Sequence, residues 1–352
     1  MALTRRGKAI VSGLVIAVVG VGVLAFTGHA GPVQKVVGPL VGKSNMPPPP
    51  TCPLTGKTLP GDKAPPDRPV LAIKVENSAD AYPLTGLDKA DIVYEEVVEG
   101  GLTRFIALFN CADAERVGPV RSARTTDPKL LVQFSAHPLL AFSGAAPQVI
   151  HALDLAKITQ LVEGDPADAF TRDSARQMPH NLFAATKPLW VAGKARAKNE
   201  PPPTPVFTYS SDVPSGHKRA GVTIEFSHSA VADWRWQGGQ WVRFLDGSPM
   251  NLENGSPITA DNVVIQQVQT AESAIHDVAG YPSPEVTVTG TGKAWIMRDG
   301  EVIAGTWSRS GLGDITTFTT KSGDTIDLKP GTTFVELAPQ GMFDATITFT
   351  KA

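Results

Sequence analysis

An apolar segment near the amino terminus constrains this chain more than any other feature of its sequence. Arg5, Arg6 and Lys8 precede a mostly apolar run of about 17 residues that ends at Phe26. A basic stretch followed by such a run is the pattern of an export signal, and its length is near the lower limit for a membrane-spanning helix. We therefore predict that residues 1–27 are a single transmembrane anchor or a cleaved signal peptide. The rest of the chain is then expected outside the cytoplasm, at the cell membrane.

Proline-rich stretches divide the remainder of the chain. Residues 28–66 are rich in glycine and proline, and a second proline cluster lies at 199–205. Because such stretches form semi-rigid spacers, we predict a linker over 28–66 and two domains, over 67–200 and 206–352. The 352 residues are 42 % hydrophobic and 19 % charged, with a net charge of −2. This composition suits globular domains and gives no reason to expect nucleic acid as a partner.

The two cysteines, Cys52 and Cys111, stand 59 positions apart. In an exported protein such a pair is most simply a disulfide, and closing a loop of this length stabilises a fold by roughly 4 kcal/mol. The alternative is two unrelated buried thiols. No cysteine or histidine cluster has the spacing of a zinc site, so no metal is predicted.

The residue patterns predict different fold classes for the two domains. In the first, strand-like runs occupy 71–75, 92–94 and 105–109, and helices are predicted from Asp127, as N-cap, and over 147–155. This alternation predicts an α+β or α/β domain.

The second domain is predicted to be mainly β. Residues 222–226 alternate in polarity, and glycine-containing turns at 238–239 and 299–300 indicate two hairpins. Three tryptophans near the first turn are expected in the core, with an exposed platform for sugars as the alternative: Trp234, Trp236 and Trp241.

The densest group of polar residues lies in the first domain. Two arginines three positions apart follow Gly118 and Pro119, and guanidinium groups bind phosphate or carboxylate through paired hydrogen bonds. The predicted ligand-binding residues are Arg104, Arg121, Ser122, Arg124, Asp127, His180 and Asn181. The alternative is a structural network in which the arginines neutralise nearby carboxylates: Glu95, Glu96 and Glu99.

These same segments resemble a known family. Residues 90–105, Gly-Pro-Val-Arg-Ser-Ala-Arg at 118–124, and 179–183 are similar to the YerB-like proteins, the domain-of-unknown-function family 3048. The similarity continues at 262–266 and 298–307. It implies an extracytoplasmic bacterial protein, in many members a lipoprotein, with no assigned activity. No cysteine follows the apolar run closely enough to accept a lipid here.

A second resemblance concerns mechanism. The strand-like run at 103–109 and the later Arg121, Arg124 and Asp127 are similar in layout to LytR-CpsA-Psr phosphotransferases, in which arginines and aspartate bind a polyprenyl pyrophosphate and its metal. The usual Pro-Arg-Asp run is absent, because two threonines separate Arg124 from Asp127. Common hydrolase and nucleotidase signatures are also absent, so the sequence leaves enzymatic activity open.

Two functions follow as expectations. The first is a membrane-anchored envelope protein that binds an anionic ligand or partner of the cell envelope, without a cofactor. The second is a metal-dependent phosphotransferase or hydrolase that acts on a phosphorylated lipid or glycan carrier. In that case Asp127 or Glu95 would serve as base or as Mg²⁺ ligand.

Overall fold

The computed structural model describes residues 49–197, 200–213 and 215–352. The predicted membrane segment at 1–27 and the part of the predicted linker before residue 49 lie outside the described residues. Within the described ranges, no helix combines the length and the apolar composition needed to cross a membrane.

The structure is mostly β, with one large sheet. The helices are α1 (Thr126–Leu131), α2 (Pro147–Leu155) and α3 (Thr186–Arg196). The strands of the first half are β1 (Leu71–Asn77), β2 (Ile92–Val97), β3 (Thr103–Phe109), β4 (Leu139–Phe142), β5 (Thr159–Val162), β6 (Phe170–Arg172) and β7 (Leu182–Ala184). Those of the second half are β8 (His217–Ser227), β9 (Ala230–Gln237), β10 (Gln240–Leu245), β11 (Ser248–Pro249), β12 (Thr259–Ala260), β13 (Asn262–His276), β14 (Pro282–Thr287), β15 (Gly290–Arg298), β16 (Glu301–Arg309), β17 (Thr317–Thr319), β18 (Thr333–Gly341) and β19 (Thr346–Lys351).

The two halves of the chain share the large sheet. In the first half the strand order is β5–β4–β1–β3–β2. Strand β18 lies parallel to β2, with Glu336 opposite Glu95, and β13 lies parallel to β18. Strands β15 and β16 continue the sheet as antiparallel neighbours. Main-chain hydrogen bonds between β2 and β18 therefore join the regions predicted as separate domains, 67–200 and 206–352.

Alternating side chains on the central strands fill a core on each face of the sheet. On β1, Ile73 belongs to one core and Ala72 to the other. Helices α1 and α2 cover one face, where Leu130 and Val149 are buried. The other face packs against α3 and against strands β8 to β10, including Trp241. The central strands are consequently buried on both sides, which is typical of a sheet covered on both faces.

Several predicted elements have the predicted positions. Helix α2 has the predicted bounds, and the tryptophans Trp234 and Trp241 are buried in the core as expected. The turn between β15 and β16 places both Asp299 and Gly300 at positive φ, as a type I′ hairpin requires. The N-cap prediction for α1 is wrong: the N-cap is Thr125, and Asp127 lies in the first turn, where its carboxylate accepts hydrogen bonds from Lys74 and from the Arg124 backbone N–H.

The predicted disulfide between Cys52 and Cys111 is present, with the Cα atoms 6.0 Å apart. It holds a short turn at 51–58 against the body of the protein. Leu54 in this turn is fully buried, and the Tyr209 hydroxyl donates a 2.6 Å hydrogen bond to its carbonyl oxygen. This turn lies within the predicted linker 28–66, and the disulfide explains why it packs.

Candidate functional site

A cleft of about 580 Å³ brings together five of the seven predicted ligand-binding residues. It lies between the turn joining β2 and β3, the extended segment 118–124, the start of α2, and the hairpin formed by β13 and β14. The predicted residues that line it are Arg104, Arg121, Ser122, Arg124 and His180. Both halves of the chain contribute walls to the cleft.

Main-chain hydrogen bonds fix the segment that carries two of the arginines. The Arg121 N–H donates to the Lys74 carbonyl oxygen of β1 at 2.9 Å, and the Arg121 carbonyl oxygen accepts from Ser143, which follows β4. Gly118, at the start of this segment, has φ +148°, and a Cβ there would lie 2.9 Å from the Leu182 carbonyl oxygen. The glycine is therefore required by close backbone contact, and the segment is held as firmly as a strand.

Arg124 is committed to a buried carboxylate. Its Nε donates to Glu99 Oε2 at 3.0 Å, its Nη2 contacts the same oxygen, and Ser283 of β14 donates to the other oxygen. Burial on its own would raise the pKa of Glu99. The hydrogen bonds and positive charge of Arg124, together with the hydrogen bond from Ser283, have the larger effect, so the pKa of Glu99 is lowered. Glu99 is therefore ionised, and together with the Ala123 carbonyl oxygen, which accepts from Nη1 at 2.7 Å, it engages all three nitrogen atoms of the Arg124 guanidinium.

Arg121, in contrast, is not hydrogen-bonded to a carboxylate. Its guanidinium makes no hydrogen bond to any described residue, and its nearest carboxylate oxygen, on Glu76, is 3.7 Å away. Its Nε and Nη1 atoms are buried without a partner, although the side chain is 20 % exposed to the cleft. Buried N–H groups without partners are rare in folded proteins, so these atoms need an acceptor that a ligand or a water molecule would supply.

Arg104 adds a second available guanidinium. Its hydrogen bond to the Ser122 carbonyl oxygen is long, at 3.4 Å, and its Nη1 is 3.9 Å from Glu99. Burial, followed by the positive charges of Arg124 and Arg121, lowers its pKa to about 10, with Glu99 opposing the shift. The three guanidinium groups are therefore close enough to repel one another, and an anion between them would relieve that repulsion.

His180 lines the cleft together with a carboxylate that the sequence reasoning missed. Its Nδ1 lies 3.0 Å from both carboxylate oxygens of Glu76, and Ser78 donates to Glu76 at 2.8 Å. The available signal was the position of Glu76 on β1, two residues after Lys74, in a strand that is apolar as far as Ile73. Glu76 fixes the orientation of the His180 ring and lies beside Arg121.

The other predicted site residues lie outside the cleft lining. Asp127 is fully buried and accepts hydrogen bonds from Lys74 Nζ and from the Arg124 backbone N–H, both at 2.7 Å. The Asn181 side chain bridges Arg172 and the Asp173 carbonyl oxygen.

The predicted carboxylate partners behave differently from one another. Glu96 pairs with Lys74, and Glu95 lies 2.8 Å from Arg243 of β10. Of the three, only Glu99 contacts the cleft arginines among the described residues. The structural network proposed as the alternative thus accounts for Arg124 but leaves Arg121 without a hydrogen bond.

The described residues contain one cluster with metal-ligand spacing, formed by Cys52, Asp91 and Cys111. Both sulfur atoms are bonded to each other in the disulfide, so neither is a thiolate that could bind a metal. The chemistry that the cleft can perform is recognition of a negatively charged group by Arg121 and Arg104.

The fold and the site define a β-rich protein with an arginine-lined cleft between two halves that share one sheet. The chain belongs to the family described as "Protein of unknown function (DUF3048)": the N-terminal domain of that family matches residues 54–199 and the C-terminal domain matches 222–335. This confirms the resemblance found in the sequence. A curated relative, "Putative lipoprotein YerB" of Bacillus subtilis (strain 168), is 26 % identical over 295 residues, which cover 82 % of this chain and 86 % of the relative.

A solved structure shows the same fold. The crystal structure of YerB from Bacillus subtilis matches with a TM-score of 0.70 and 24 % identity, and the match covers 85 % of this chain and 99 % of that chain.

Proposed function

We propose that this protein binds an anionic ligand of the cell envelope, carrying a phosphate or carboxylate group, through Arg121 and Arg104. The observation that carries the proposal is the Arg121 guanidinium, which lines the cleft and has two buried nitrogen atoms, Nε and Nη1, that donate no hydrogen bond. In the folded chain these groups lose their hydrogen bonds to water and gain none in return. Because Nε and Nη1 have almost no accessible surface, the Arg121 side chain must shift for them to reach a bound phosphate or carboxylate, which would then supply the missing acceptors. Arg124 and Glu99 form the fixed wall behind that ligand.

We place this activity outside the cytoplasm, at the membrane surface. Two observations support this location: the basic and apolar residues at 1–27 have the pattern of an export signal, and the Bacillus relative is named "Putative lipoprotein YerB". The disulfide agrees with an oxidising compartment. Since no cysteine closely follows the apolar run, residues 1–27 themselves would provide the anchor.

Binding is a better match to the geometry than metal-dependent phosphotransfer. That alternative needs Asp127 or Glu95 as a base or as a Mg²⁺ ligand. The Asp127 carboxylate is already bonded to Lys74 and to a backbone N–H, and Glu95 is 1 % exposed and bonded to Thr103, Asn77 and Arg243. Neither lines the cleft.

The test is binding of methyl phosphate and of acetate to the full-length protein in a mild non-ionic detergent, measured by calorimetry. Arg121→Ala is expected to weaken binding by about tenfold or more, because it removes a charged hydrogen-bonding group. Arg121→Lys is expected to recover part of the loss, since an ammonium group keeps the positive charge but cannot donate the paired hydrogen bonds of a guanidinium. Arg196→Ala, which changes an arginine of α3 outside the cleft lining, is the matched control. Equal affinities of Arg121→Ala and wild type for both probes would refute the proposal.

A further inference from the structure

We infer that the ligand is an amphiphile, in which a single anionic group is attached directly to a hydrocarbon chain. This inference rests on the proposed function, because it takes Arg121 and Arg104 as the anion-binding part of the cleft. It adds the chemical class of the ligand and the direction in which the ligand lies.

Exposed apolar side chains form the outer part of the cleft. Leu102, in the turn between β2 and β3, is 42 % exposed, and Val278, at the tip of the β13–β14 hairpin, is completely exposed. Both line the cleft that contains the arginines, together with Ala146, Val149 and Ile275. Two loops from different halves of the chain thus present large apolar side chains to solvent at one cavity. Apolar groups that are exposed beside a binding site commonly mark contact with an apolar part of the ligand.

The exposed fractions of the lining side chains indicate how the ligand is oriented in the cleft. The Arg104 and Arg121 side chains are 13 % and 20 % exposed, so the charged end of the cleft is the deep end. Leu102 and Val278 are far more exposed, so the apolar end is the mouth. An anionic head would therefore bind deep, with its hydrocarbon chain running outward between the two loops.

The charges at the mouth favour a ligand with one charged end. Asp80 lines the cleft and is exposed there, and Asp277 lies in the hairpin tip. The Asp277 carboxylate accepts hydrogen bonds from the backbone N–H groups of Ala279 and Tyr281, which keeps it in place. Two carboxylates near the mouth would repel a second anionic group, whereas a hydrocarbon chain carries no charge to repel.

The test is a chain-length series of methyl, propyl and pentyl phosphate, which are too short to form micelles, measured with the full-length protein. Each added methylene is expected to tighten binding by about two- to fourfold while it contacts the apolar mouth. The double variant Leu102→Ser with Val278→Ser is expected to bind methyl phosphate as wild type does but to lose the gain with chain length. Val191→Ser changes a valine on α3 that is 76 % exposed and lies outside the cleft lining, and this variant is expected to keep the gain.

The outcomes separate this inference from the proposed function. If methyl phosphate binds through Arg121 but affinity does not change with chain length, or if the double variant keeps the gain, the amphiphile inference is overturned and anion binding stands. If Arg121→Ala binds the whole series as wild type does, the anion site itself is wrong. Displacement of pentyl phosphate by hexadecyl phosphate incorporated in zwitterionic nanodiscs would identify a membrane-embedded amphiphile as the source, and a gain with chain length without such displacement would identify a free amphiphile.

Discussion

Glu95 of β2 and Glu336 of β18 lie directly opposite each other on parallel strands, and a single arginine contacts both. Arg243 Nη1 is 2.8 Å from Glu95 Oε2 and 3.1 Å from Glu336 Oε1. All three side chains are almost completely buried, and they come from three strands that span both halves of the chain. One positive charge therefore faces two carboxyl groups at the junction of the two halves.

The charges balance if one carboxyl group holds a proton. Burial, and then the negative charge of Glu95, raises the pKa of Glu336 well above its usual value, although Arg243 opposes the shift. Glu336 also accepts a 2.7 Å hydrogen bond from the Trp234 indole N–H. We therefore predict that Glu336 is the carboxyl group that holds the proton, with Glu95 as the ionised partner.

Glu336→Gln should accordingly be tolerated, whereas Arg243→Met should not. A glutamine amide can donate to Glu95 as the protonated acid does, so a loss of less than about 1 kcal/mol is expected. Arg243→Met leaves buried carboxyl groups without their cation, and a loss of about 3–5 kcal/mol is expected. Urea denaturation of both variants gives the comparison. Equal losses would mean that Glu336 is ionised in the folded protein.

The sequence predicted individual helices and turns, but it did not predict the junction between the two halves of the chain. Helix α2 and the type I′ turn at Asp299 and Gly300 follow from nearby residues, because proline at the start of a helix and Asp-Gly in a hairpin act locally. The parallel pairing of β2 with β18 joins residues more than 200 positions apart. No local pattern records which strands become neighbours, so the pairing of Glu95 with Arg243 could not be read from the sequence.

Arg124 and Arg121 should differ in their contribution to stability, although they are three positions apart. Arg124→Ala removes the hydrogen bonds to Glu99, whose side chain is 5 % exposed, and is expected to cost about 2–3 kcal/mol. Arg121→Ala removes no hydrogen bond and is expected to change the free energy of unfolding by less than about 1 kcal/mol. Chemical denaturation without ligand measures both. A loss in Arg121→Ala as large as in Arg124→Ala would assign Arg121 to the structural network.

Asp127→Ala should lower stability rather than remove a catalytic activity. The substitution deprives Lys74 of one of its two carboxylate partners and leaves the Arg124 backbone N–H without an acceptor. We expect a loss of about 2–4 kcal/mol, while Asp154→Ala, which changes an exposed aspartate of α2, should have little effect. A variant as stable as wild type that lost a Mg²⁺-dependent turnover of polyprenyl phosphates would instead support the phosphotransferase alternative.

The cleft shows which part of a site can be predicted from residue types. The spacing of Arg121 and Arg124, and the separate polar segment that contains His180, led to residues that do line one cavity. The same reasoning could not separate Arg121 from Arg124, because the difference is the position of Glu99, which the hairpin residue Ser283 fixes from the other half of the chain. It also missed the apolar mouth, since Leu102 and Val278 are 176 positions apart and become neighbours of the cleft only through the shared sheet.

Asp91, beside the disulfide, should make stability depend on pH. Burial raises its pKa to about 6 from a usual value near 3.8, although backbone N–H groups of Cys111 and Asn110 donate to it and Arg68 lies nearby. The folded protein thus holds a proton that the unfolded chain releases between these two values. The contribution of this group is fully present below about pH 3.8 and is lost as the pH rises through about 6.

The expected loss attributable to Asp91 is about 2–3 kcal/mol between pH 4 and pH 7. Asp91→Asn removes the titrating group, and the amide oxygen can still accept the two backbone hydrogen bonds. The stability of wild type relative to this variant should therefore fall as the pH rises across that interval, which urea denaturation at several pH values measures. Comparing the two proteins at each pH cancels the titration of groups they share, such as Glu99. A difference that stays constant with pH would mean that Asp91 is already ionised at pH 4, because its hydrogen bonds to Asn110 and Cys111 outweigh its burial.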